Sequence, residues 1–377
     1  MGKVLMVATV DDHLNAFHLP YIARLSQIGH TVDAACRVMG QVPPLPNVRR
    51  QWDIGFQRQP FHHKNIVAYH QLEQIIDTEQ YDLLHCHTPV GSAVSRLAAR
   101  SARKRGMKVM YTAHGFHFYK GAPLLNWLMY YPAERLLARQ TDALITINQE
   151  DYERAKHFKA GRVYHVDGMG VDVQKFASHQ GNREGTRQNM GVPLDACLLL
   201  SVGELNRNKN HQIIIRALAQ LKDPSVHLAI AGRGPLLDEY VQLADELGVV
   251  KNVHFLGYRD DTPELYKAAD IFCFPSQREG LPISVIEAAA SGLPVVGSAI
   301  RGVKDIVTDG VNGILVNQND LADVARGLGT VIRDQALREQ MGQVGQAAAS
   351  RFDLGMSVSE MERIYGGLLN HERPNWW

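Results

Sequence analysis

Residues 274–292 have the sequence F-P-S-Q-R-E-G-L-P-I-S-V-I-E-A-A-A-S-G, in which a strand, a loop and a helix follow one another. The apolar run 271–274 predicts a buried strand. The helix is predicted to begin at Leu281 and Pro282, because proline is accepted in a first turn that needs no N–H donor, and to close at Gly292. The unpaired N–H groups and positive dipole end of this first turn favour a bound phosphate.

Two carboxylates flank the start of this helix. Glu279 lies in the preceding loop and Glu287 follows eight residues later. With the helix starting at Leu281, Glu287 lies about 9 Å along its axis, far enough to reach past a diphosphate to a ribose diol. Taken alone, the two glutamates also fit an ordinary βα loop with solvated side chains on either side.

The surrounding frame, P-S-x-x-E-G-x-P-x-x-x-x-E-A-x-A-x-G-x-P-V-V, resembles that of the retaining glycosyltransferases of family 4. Further segments match this family in the same order along nearly the whole chain: H-C-H-T (85–88), T-A-H-G (112–115), G-M-G-V-D (168–172), V-G through Lys209 (202–209) and A-G-x-G-P (231–235). The resemblance implies an α/β GT-B fold, with two Rossmann-like βαβ domains that face a central cleft and a C-terminal helix that crosses back to the first domain.

The length and periodicity of the chain also predict two domains. A chain of 377 residues is too long for one ordinary core. Strand and helix patterns alternate in two series, with an irregular segment at about 168–196 between them and a loop expected at 11–17. Combined with the family resemblance, this division implies an N-terminal acceptor-binding domain (1–170), a C-terminal nucleotide-sugar donor-binding domain (171–355) and a C-terminal helix (356–377) that packs back on the first domain.

Charge is distributed unevenly between the two halves. Residues 1–170 contain 20 Lys/Arg and 14 Asp/Glu, a net charge of +6, whereas residues 171–377 contain 20 and 25, a net charge of −5. A basic half suggests a surface that faces an anionic membrane or a lipid phosphate, although chance scatter would give a similar difference.

Cysteine usage and hydropathy bear on location. The four cysteines are far apart and form no C-x-x-C or zinc spacing, which predicts buried thiols in a reducing compartment. The first residues form a strand pattern without a secretory leader, and no run approaches the roughly 20 apolar residues of a membrane span. We expect a cytoplasmic protein, peripheral on the inner face of the bacterial membrane.

A basic loop follows the strand predicted at 197–202. Arg207 and Lys209 lie beside a helix start, where they can neutralise a diphosphate leaving group, although a solvated basic loop has the same composition. Lys209 matches the lysine of the family, but Glu204 stands where the family has arginine, so Arg207 would have to replace it. The predicted donor diphosphate site comprises Arg207, Lys209, Gly280, Leu281, Pro282 and Ile283.

The nucleoside part of the donor is predicted at the ends of further strands. By the resemblance it contacts Gly203, Gly232, Gly257, Tyr258 and Glu287, with Tyr258 equally explained as a surface turn residue. The segment G-R-G-P at 232–235 lacks the third glycine of a dinucleotide fingerprint, and no acidic residue follows at the ribose-binding distance. An NAD site is therefore not expected.

Several histidines follow predicted strands of the first domain. The resemblance implies that His114 contacts the donor sugar near the reacting carbon and acts with Glu279 as the catalytic pair. Asp12, His13 and His117 are predicted on the acceptor side. His85 and His87 share one face of a strand, but no third metal ligand is identifiable and no D-x-D occurs. We predict no metal and no cofactor.

An aromatic, cationic and apolar patch lies in residues 116–131. Its composition suits a helix at a membrane interface, and it also suits a buried core helix or an oligomer interface. Trp376 and Trp377 could form a second anchor or simply a frayed tail. The patch members are Phe116, Phe118, Tyr119, Lys120, Leu124, Leu125, Trp127, Leu128, Met129, Tyr130 and Tyr131.

These observations predict a retaining, metal-independent glycosyltransferase. By resemblance to bacterial exopolysaccharide and capsule transferases, it would move a hexose or N-acetylhexosamine from a UDP-sugar to a hydroxyl of a lipid-linked (undecaprenyl diphosphate) saccharide. Two alternatives stay open from the sequence. One is a UDP-sugar 2-epimerase of GT-B-like fold, and the other is a non-enzymatic nucleotide-sugar binding protein.

Overall fold

The chain forms two compact units in a computed structural model that describes residues 1–40 and 43–369. The first unit comprises residues 1–170 and the chain from Gly355 onward. The second unit comprises Val171–Leu354. Each unit is an α/β sandwich around its own parallel sheet.

The first unit is built on seven parallel strands in the order β3-β2-β1-β4-β5-β6-β7. Apolar runs form its central strands because helices cover both faces of the sheet. Strand order reverses between β1 and β4, which creates the point where such sheets bind ligands. The strands are β1 Lys3–Val10, β2 Thr31–Arg37, β3 Gln51–Asp53, β4 Leu83–His87, β5 Lys108–Ala113, β6 Ala143–Thr146 and β7 Arg162–His165.

Among residues 1–40 and 43–170, seven helices connect these strands, and the prediction of a loop at 11–17 is wrong. This segment is a helix with Asp11 and Asp12 in its first turn, where negative charge complements the helix dipole. The stretch from Pro89 to Lys104 forms two helices, which are separated at Ala99. The helices are α1 Asp11–Phe17, α2 Leu19–Gln27, α3 Lys64–Glu79, α4 Pro89–Ala98, α5 Arg100–Lys104, α6 Leu124–Leu137 and α7 Gln149–Ala155.

The second unit repeats the design with six parallel strands in the order β10-β9-β8-β11-β12-β13. Here the strand order reverses between β8 and β11. The prediction of two Rossmann-like βαβ domains is confirmed. The strands are β8 Cys197–Val202, β9 Val226–Ala231, β10 Val253–Gly257, β11 Ile271–Phe274, β12 Val295–Ser298 and β13 Gly313–Val316.

Two of the expectations stated above for the second unit are wrong. The segment predicted to be irregular contains α8 and α9, whose first turns are capped by the Asp172 and Asn182 side chains. Helix α13 begins at Ile283, two residues later than predicted, because Pro282 has an extended backbone. The helices are α8 Val173–Ala177, α9 Arg183–Met190, α10 His211–Leu221, α11 Leu237–Glu246, α12 Thr262–Ala268, α13 Ile283–Ala290, α14 Val303–Ile306, α15 Leu321–Arg333 and α16 Gln335–Ala349.

The last described helix, α17 Leu354–Leu369, begins at the final residue of the second unit and belongs to the first. It buries Met361, Ile364 and Tyr365. The Tyr365 hydroxyl lies 2.7 Å from His85 Nδ1 in strand β4, so the helix contacts the sheet of the first unit. Trp376 and Trp377, the predicted second anchor, lie outside the described residues.

All four cysteines are free, and three of them, Cys36, Cys86 and Cys273, are buried. Across residues 1–40 and 43–369, no helix combines the length and hydropathy that crossing a bilayer requires.

Candidate active site

In the second unit, two loops meet where the strand order reverses. Strand β8 leads into residues 203–210 and the neighbouring strand β11 leads into residues 275–282, so both loops emerge at the same sheet edge. The Gln277 N–H donates to the Asn208 carbonyl at 2.8 Å, and the Asn208 amide donates to the Arg278 carbonyl at 3.0 Å. The two loops are therefore held against each other.

This contact brings Lys209 and Glu279 together. Lys209 Nζ lies 2.8 Å from Glu279 Oε1 and 4.8 Å from the centroid of the Phe274 ring. The two charged side chains are only 22% and 14% exposed, so their attraction is less screened by water than that of a surface pair. A cation predicted to bind diphosphate and a carboxylate predicted to hold the sugar are thus direct neighbours.

The start of helix α13 lies in the same loop. Gly280, Leu281 and Pro282 immediately precede the first helical residue, Ile283, and the first N–H groups of a helix have no intrahelical acceptor. Sequence reasoning missed Arg301, a 7% exposed cation whose Nε donates to the Glu279 carbonyl at 3.0 Å. The sequence does contain one signal that could have identified Arg301. It lies three residues after strand β12, which pairs with β11.

Glu287 lies nearer the helix start than predicted. Because α13 begins at Ile283, Glu287 is about 6 Å along the axis, not about 9 Å. Its Oε2 accepts a hydrogen bond from the Tyr266 hydroxyl at 2.9 Å. Burial raises the pKa of Glu287 above its ordinary value of 4.5, and the Tyr266 hydrogen bond opposes that rise.

The predicted nucleoside contacts lie at the ends of strands β8, β9 and β10. Gly232 donates its N–H to the Gly257 carbonyl at 2.7 Å. A Cβ on Gly232, whose φ is +156°, would lie 1.9 Å from the Gly203 carbonyl oxygen, so only glycine allows this close approach. The Tyr258 side chain is 67% exposed, and the Arg233 guanidinium lies 5.6 Å from its ring centroid.

In the described part of the chain, the Arg207 side chain is not held by an ion pair, in contrast to that of Lys209. Both Arg207 and Glu204 are exposed, and within residues 1–40 and 43–369 no ion pair or hydrogen bond of the Arg207 side chain is found. The pairing of Arg207 with Lys209 stays a prediction from their spacing.

In the first unit, a groove of about 470 Å³ lies beside the reversal point between β1 and β4. All three residues predicted on the acceptor side, Asp12, His13 and His117, line it. Sequence reasoning missed other members of the lining, including Phe17, Arg58, Thr88 and Tyr130. The groove therefore offers aromatic faces beside polar and charged groups.

Thr88 has a strained backbone at this groove. Its φ of +62° with ψ of 148° is rare for a residue other than glycine. Its hydroxyl accepts the Thr9 N–H at 3.1 Å and lies 2.7 Å from the Thr9 hydroxyl, so the strained conformation is fixed by strand β1.

His114 directly follows β5 and lies among other histidines. Its Nε2 is 3.3 Å from His13 Nε2 and 3.4 Å from His87 Nδ1. Burial lowers the pKa of His114 well below its ordinary value and lowers that of His13 to about 4. These rings are therefore neutral at pH 7.

His85 and His87, the pair of histidines seen in the sequence, have different partners in the structure. His85 has both ring nitrogens partnered, by the Tyr365 hydroxyl at 2.7 Å and the Thr112 hydroxyl at 2.8 Å. His87 instead groups with His13, His18 and His114, with one nitrogen of each within 4.8 Å of those of the others. Sequence reasoning found no third partner for His87 because these residues follow different strands.

Comparisons with known proteins agree with this architecture. A family model described as "Glycosyl transferases group 1" matches residues 182–348, and one described as "Glycosyl transferase 4-like" matches residues 3–148. The chain is 42% identical over 373 residues to EpsD of Bacillus subtilis (strain 168), whose name places it among glycosyltransferases. That match covers 98% of this chain and 97% of EpsD.

More distant similarities extend to enzymes with named substrates. The chain is 27% identical over 315 residues to a UDP-Gal:alpha-D-GlcNAc-diphosphoundecaprenol alpha-1,3-galactosyltransferase of Escherichia coli, covering 80% of this chain and 79% of that protein. The fold is similar to that of Anabaena HepE in complex with UDP and glucose, with a TM-score of 0.79, 22% identity and coverage of 97% and 100% of the two chains. The chain thus belongs to the glycosyltransferases of family 4 and has their GT-B fold.

Proposed function

We propose that this enzyme is a retaining transferase that moves a hexose or N-acetylhexosamine from a UDP-sugar to a hydroxyl of a lipid-linked saccharide, in bacterial exopolysaccharide or capsule synthesis. The lipid carrier proposed is undecaprenyl diphosphate. Support for the donor comes from Anabaena HepE, whose structure contains UDP and glucose. Support for the acceptor comes from the E. coli relative, which is named for a diphosphoundecaprenol substrate.

The observation that carries this proposal is the ion pair of Lys209 and Glu279 beside the start of helix α13. A diphosphate placed there would meet an ammonium group and the free N–H groups of the first helical turn. Both interactions grow as negative charge develops on the departing UDP, so they favour the transition state. We propose that no metal ion is needed for this step.

In the proposed mechanism, Glu287 accepts hydrogen bonds from the ribose diol, and Glu279 orients the hydroxyls of the donor sugar. His114 contacts the sugar near its anomeric carbon. The bond from that carbon to the β-phosphate oxygen breaks, and the bond to the acceptor oxygen forms on the same face. Because the new bond forms on the face from which the phosphate departs, the anomeric configuration is retained, and the acceptor proton passes to the departing phosphate oxygen.

The acceptor saccharide is proposed to occupy the groove of the first unit. Sugar rings stack on aromatic side chains and hydrogen-bond to charged groups, and the groove supplies Phe17, Tyr130, Asp12 and Arg58. Asp12 would accept hydrogen bonds from saccharide hydroxyls, while Arg58 would donate them.

The first prediction concerns donor and acceptor. UDP-sugars should raise the Tm of the protein more than GDP- or dTDP-sugars at equal concentration. A ligand that binds only the folded protein stabilises it more, the higher its affinity. With a radiolabelled UDP-sugar and an undecaprenyl-diphosphate-linked saccharide, label should pass into the organic phase, and NMR should show the donor's anomeric configuration. Undecaprenyl phosphate without a sugar is the control acceptor and should receive no label.

Two results of this assay would contradict the proposal. Conversion of UDP-GlcNAc to its 2-epimer without any acceptor would identify an epimerase. Tight donor binding without transfer to any lipid-linked saccharide would instead identify a nucleotide-sugar binding protein.

We also propose that the first unit docks on an anionic membrane surface through helix α6. The sequence patch divides in the structure, because Phe116 and Phe118 are 3% and 0% exposed and belong to the core. Three leucines of α6 point outward instead, with Leu124, Leu125 and Leu128 exposed by 73%, 63% and 65%. Apolar side chains at a protein surface suit the boundary region of a bilayer.

The second prediction tests this surface by sedimentation with vesicles that contain anionic lipid. Replacing Leu124, Leu125 and Leu128 together with serine should weaken vesicle binding at least about 10-fold, because each leucine would lose an apolar contact with the bilayer. The matched control replaces Ile66 and Val67, which are exposed on α3 by 64% and 55%, with serine. If wild-type protein stays in the supernatant and forms a dimer that the triple variant loses, the surface is an oligomer interface.

A further inference from the structure

A third loop of the second unit contacts the residues that precede helix α13. Residues 299–302 follow strand β12, which pairs with β11. Arg301 Nε donates to the Glu279 carbonyl at 3.0 Å. A Cβ on Gly302, whose φ is +76°, would lie 2.2 Å from the Gly280 carbonyl oxygen, so only glycine allows this approach. The loop therefore packs directly on the peptide groups at the start of the proposed diphosphate site.

The contact with Arg301 fixes the direction of a neighbouring N–H group. The peptide bond between Glu279 and Gly280 is trans and planar, so its carbonyl and its N–H point in opposite directions. With the carbonyl directed at Arg301, the Gly280 N–H points away from Arg301. Among residues 1–40 and 43–369, no hydrogen-bond acceptor for this N–H is found. The Gly280 N–H is therefore available to a ligand.

Strand order places Lys209 on the other side of the same loop. Strand β11 lies between β12 and β8 in the sheet. The loop after β12 therefore brings Arg301 to one side of residues 275–282, and the loop after β8 brings Lys209 to the other. Lys209 Nζ lies 2.8 Å from Glu279 Oε1. An anion beside Lys209 would thus lie on the side to which the Gly280 N–H is turned.

Arg301 and its loop are held firmly enough to orient another group. The Arg301 side chain is only 7% exposed, and a buried guanidinium keeps one geometry because its donors need fixed partners. The Gly302 N–H donates to Asp305 Oδ2 at 2.9 Å in the first turn of helix α14. A group that positions another must itself be locked by packing and hydrogen bonds, and this loop meets that requirement.

We propose that Arg301 is a positioning residue that holds the Gly280 N–H toward the diphosphate of the donor. This role rests on the proposed function, because it requires a diphosphate at the start of α13. A hydrogen bond from an N–H to an anionic oxygen is stronger than one between neutral groups. An N–H that is oriented before UDP departs needs no reorganisation as negative charge grows on the β-phosphate. Arg301 acts through the peptide group and does not touch the donor.

The third prediction compares the affinities of the full chain for UDP and for uridine, which has no phosphate. Arg301→Met has a side chain of similar reach without an N–H donor, so it should raise the dissociation constant of UDP at least about 10-fold. The dissociation constant of uridine should change less than about 3-fold, because uridine makes no contact at the phosphate site. Calorimetric titration will measure UDP binding, and ligand-observed NMR will measure the weaker uridine binding.

Arg301→Gln is the matched rescue variant. The amide nitrogen of glutamine stands the same number of bonds from Cα as Nε of arginine, so it can donate to the Glu279 carbonyl. Both variants lose the guanidinium charge, and they differ in this donor. We therefore expect Arg301→Gln to keep the dissociation constant of UDP within about 3-fold of the wild-type value. Arg326→Met, which removes an exposed arginine from α15 of the same unit, should change neither affinity.

Three results would overturn the role of Arg301. Equal losses of UDP affinity in Arg301→Met and Arg301→Gln would show that the charge acts and not the donor. Unchanged UDP affinity in Arg301→Met would show that the contact has no effect on the phosphates, and a parallel loss of uridine affinity would show a general disturbance of the unit. Wild-type protein that binds UDP no more tightly than uridine would instead contradict the proposed diphosphate site itself, so the two failures are distinguishable.

A second measurement does not depend on the folding of any variant. In wild-type protein labelled with ¹⁵N-glycine and assigned by triple-resonance NMR, UDP should move the amide signal of Gly280, whereas uridine should leave it in place. A Gly280 signal that does not respond to UDP, in a protein that binds UDP more tightly than uridine, would also overturn the proposal.

Discussion

Replacing Lys209 with alanine is expected to lower kcat about 100- to 1,000-fold, the usual effect of removing one group that stabilises a developing negative charge. The ammonium group lies 2.8 Å from Glu279 beside the first turn of α13, where the proposed diphosphate departs. Steady-state kinetics with saturating acceptor will measure the change. Retention of more than a tenth of wild-type kcat would remove Lys209 from the proposed mechanism.

Two controls separate the charge of Lys209 from its structural contact. Lys251→Ala removes an exposed lysine elsewhere in the same unit and should leave kcat unchanged. Because Lys209→Ala also leaves Glu279 without its ion-pair partner, a double-mutant cycle with Glu279→Ala is needed. We expect the two losses of kcat to be strongly non-additive, since the pair would act as one unit on the donor.

The two glutamates are expected to differ in the step that they affect. Glu287→Ala should raise the dissociation constant of the donor about 10- to 100-fold, because a carboxylate that accepts two hydrogen bonds from the ribose would be lost. Glu279→Ala should chiefly lower kcat, because that carboxylate would orient the reacting sugar. Calorimetric titration with UDP and steady-state kinetics will distinguish the two effects, and unchanged values in both variants would refute both roles.

Tyr266→Phe provides the matched control for Glu287. It keeps the buried ring but removes the hydroxyl that donates to Glu287 Oε2 at 2.9 Å. We expect a smaller loss of UDP affinity than with Glu287→Ala.

Since burial raises the pKa of Glu287, its carboxylate becomes protonated at a higher pH than an ordinary glutamate. UDP affinity should therefore begin to fall, as pH is lowered, before 4.5 is reached, and Glu287→Gln should remove that dependence.

The fold could be predicted well from the sequence because the pattern that forms a parallel sheet is local. Buried strands are continuous apolar runs, and amphipathic helices between them have a different period. The prediction failed at α1, whose seven residues include two Asp, one His and one Asn and are too few to show a helical period. It also failed at α8 and α9, which are short and depend on the caps Asp172 and Asn182.

The site was only partly predictable. The motif containing Glu279 and Glu287 identified the second-unit loop, since both residues lie near one helix start. Arg301 was missed because its contact with the Glu279 carbonyl depends on the pairing of β11 with β12. His18 was missed because nothing in its own segment indicates that it contacts His87, 69 positions away, with ring centroids 3.7 Å apart.

The sequence by itself determined two α/β units, the family and the loops that carry charged side chains, because each depends on residues near one another along the chain. Tertiary structure alone decided which side chains meet. It paired Lys209 with Glu279, gathered the four histidines, and turned the aromatic side of the 116–131 patch inward. The physical reason is strand order: a parallel sheet places the ends of non-consecutive strands side by side, and no local spacing encodes that arrangement.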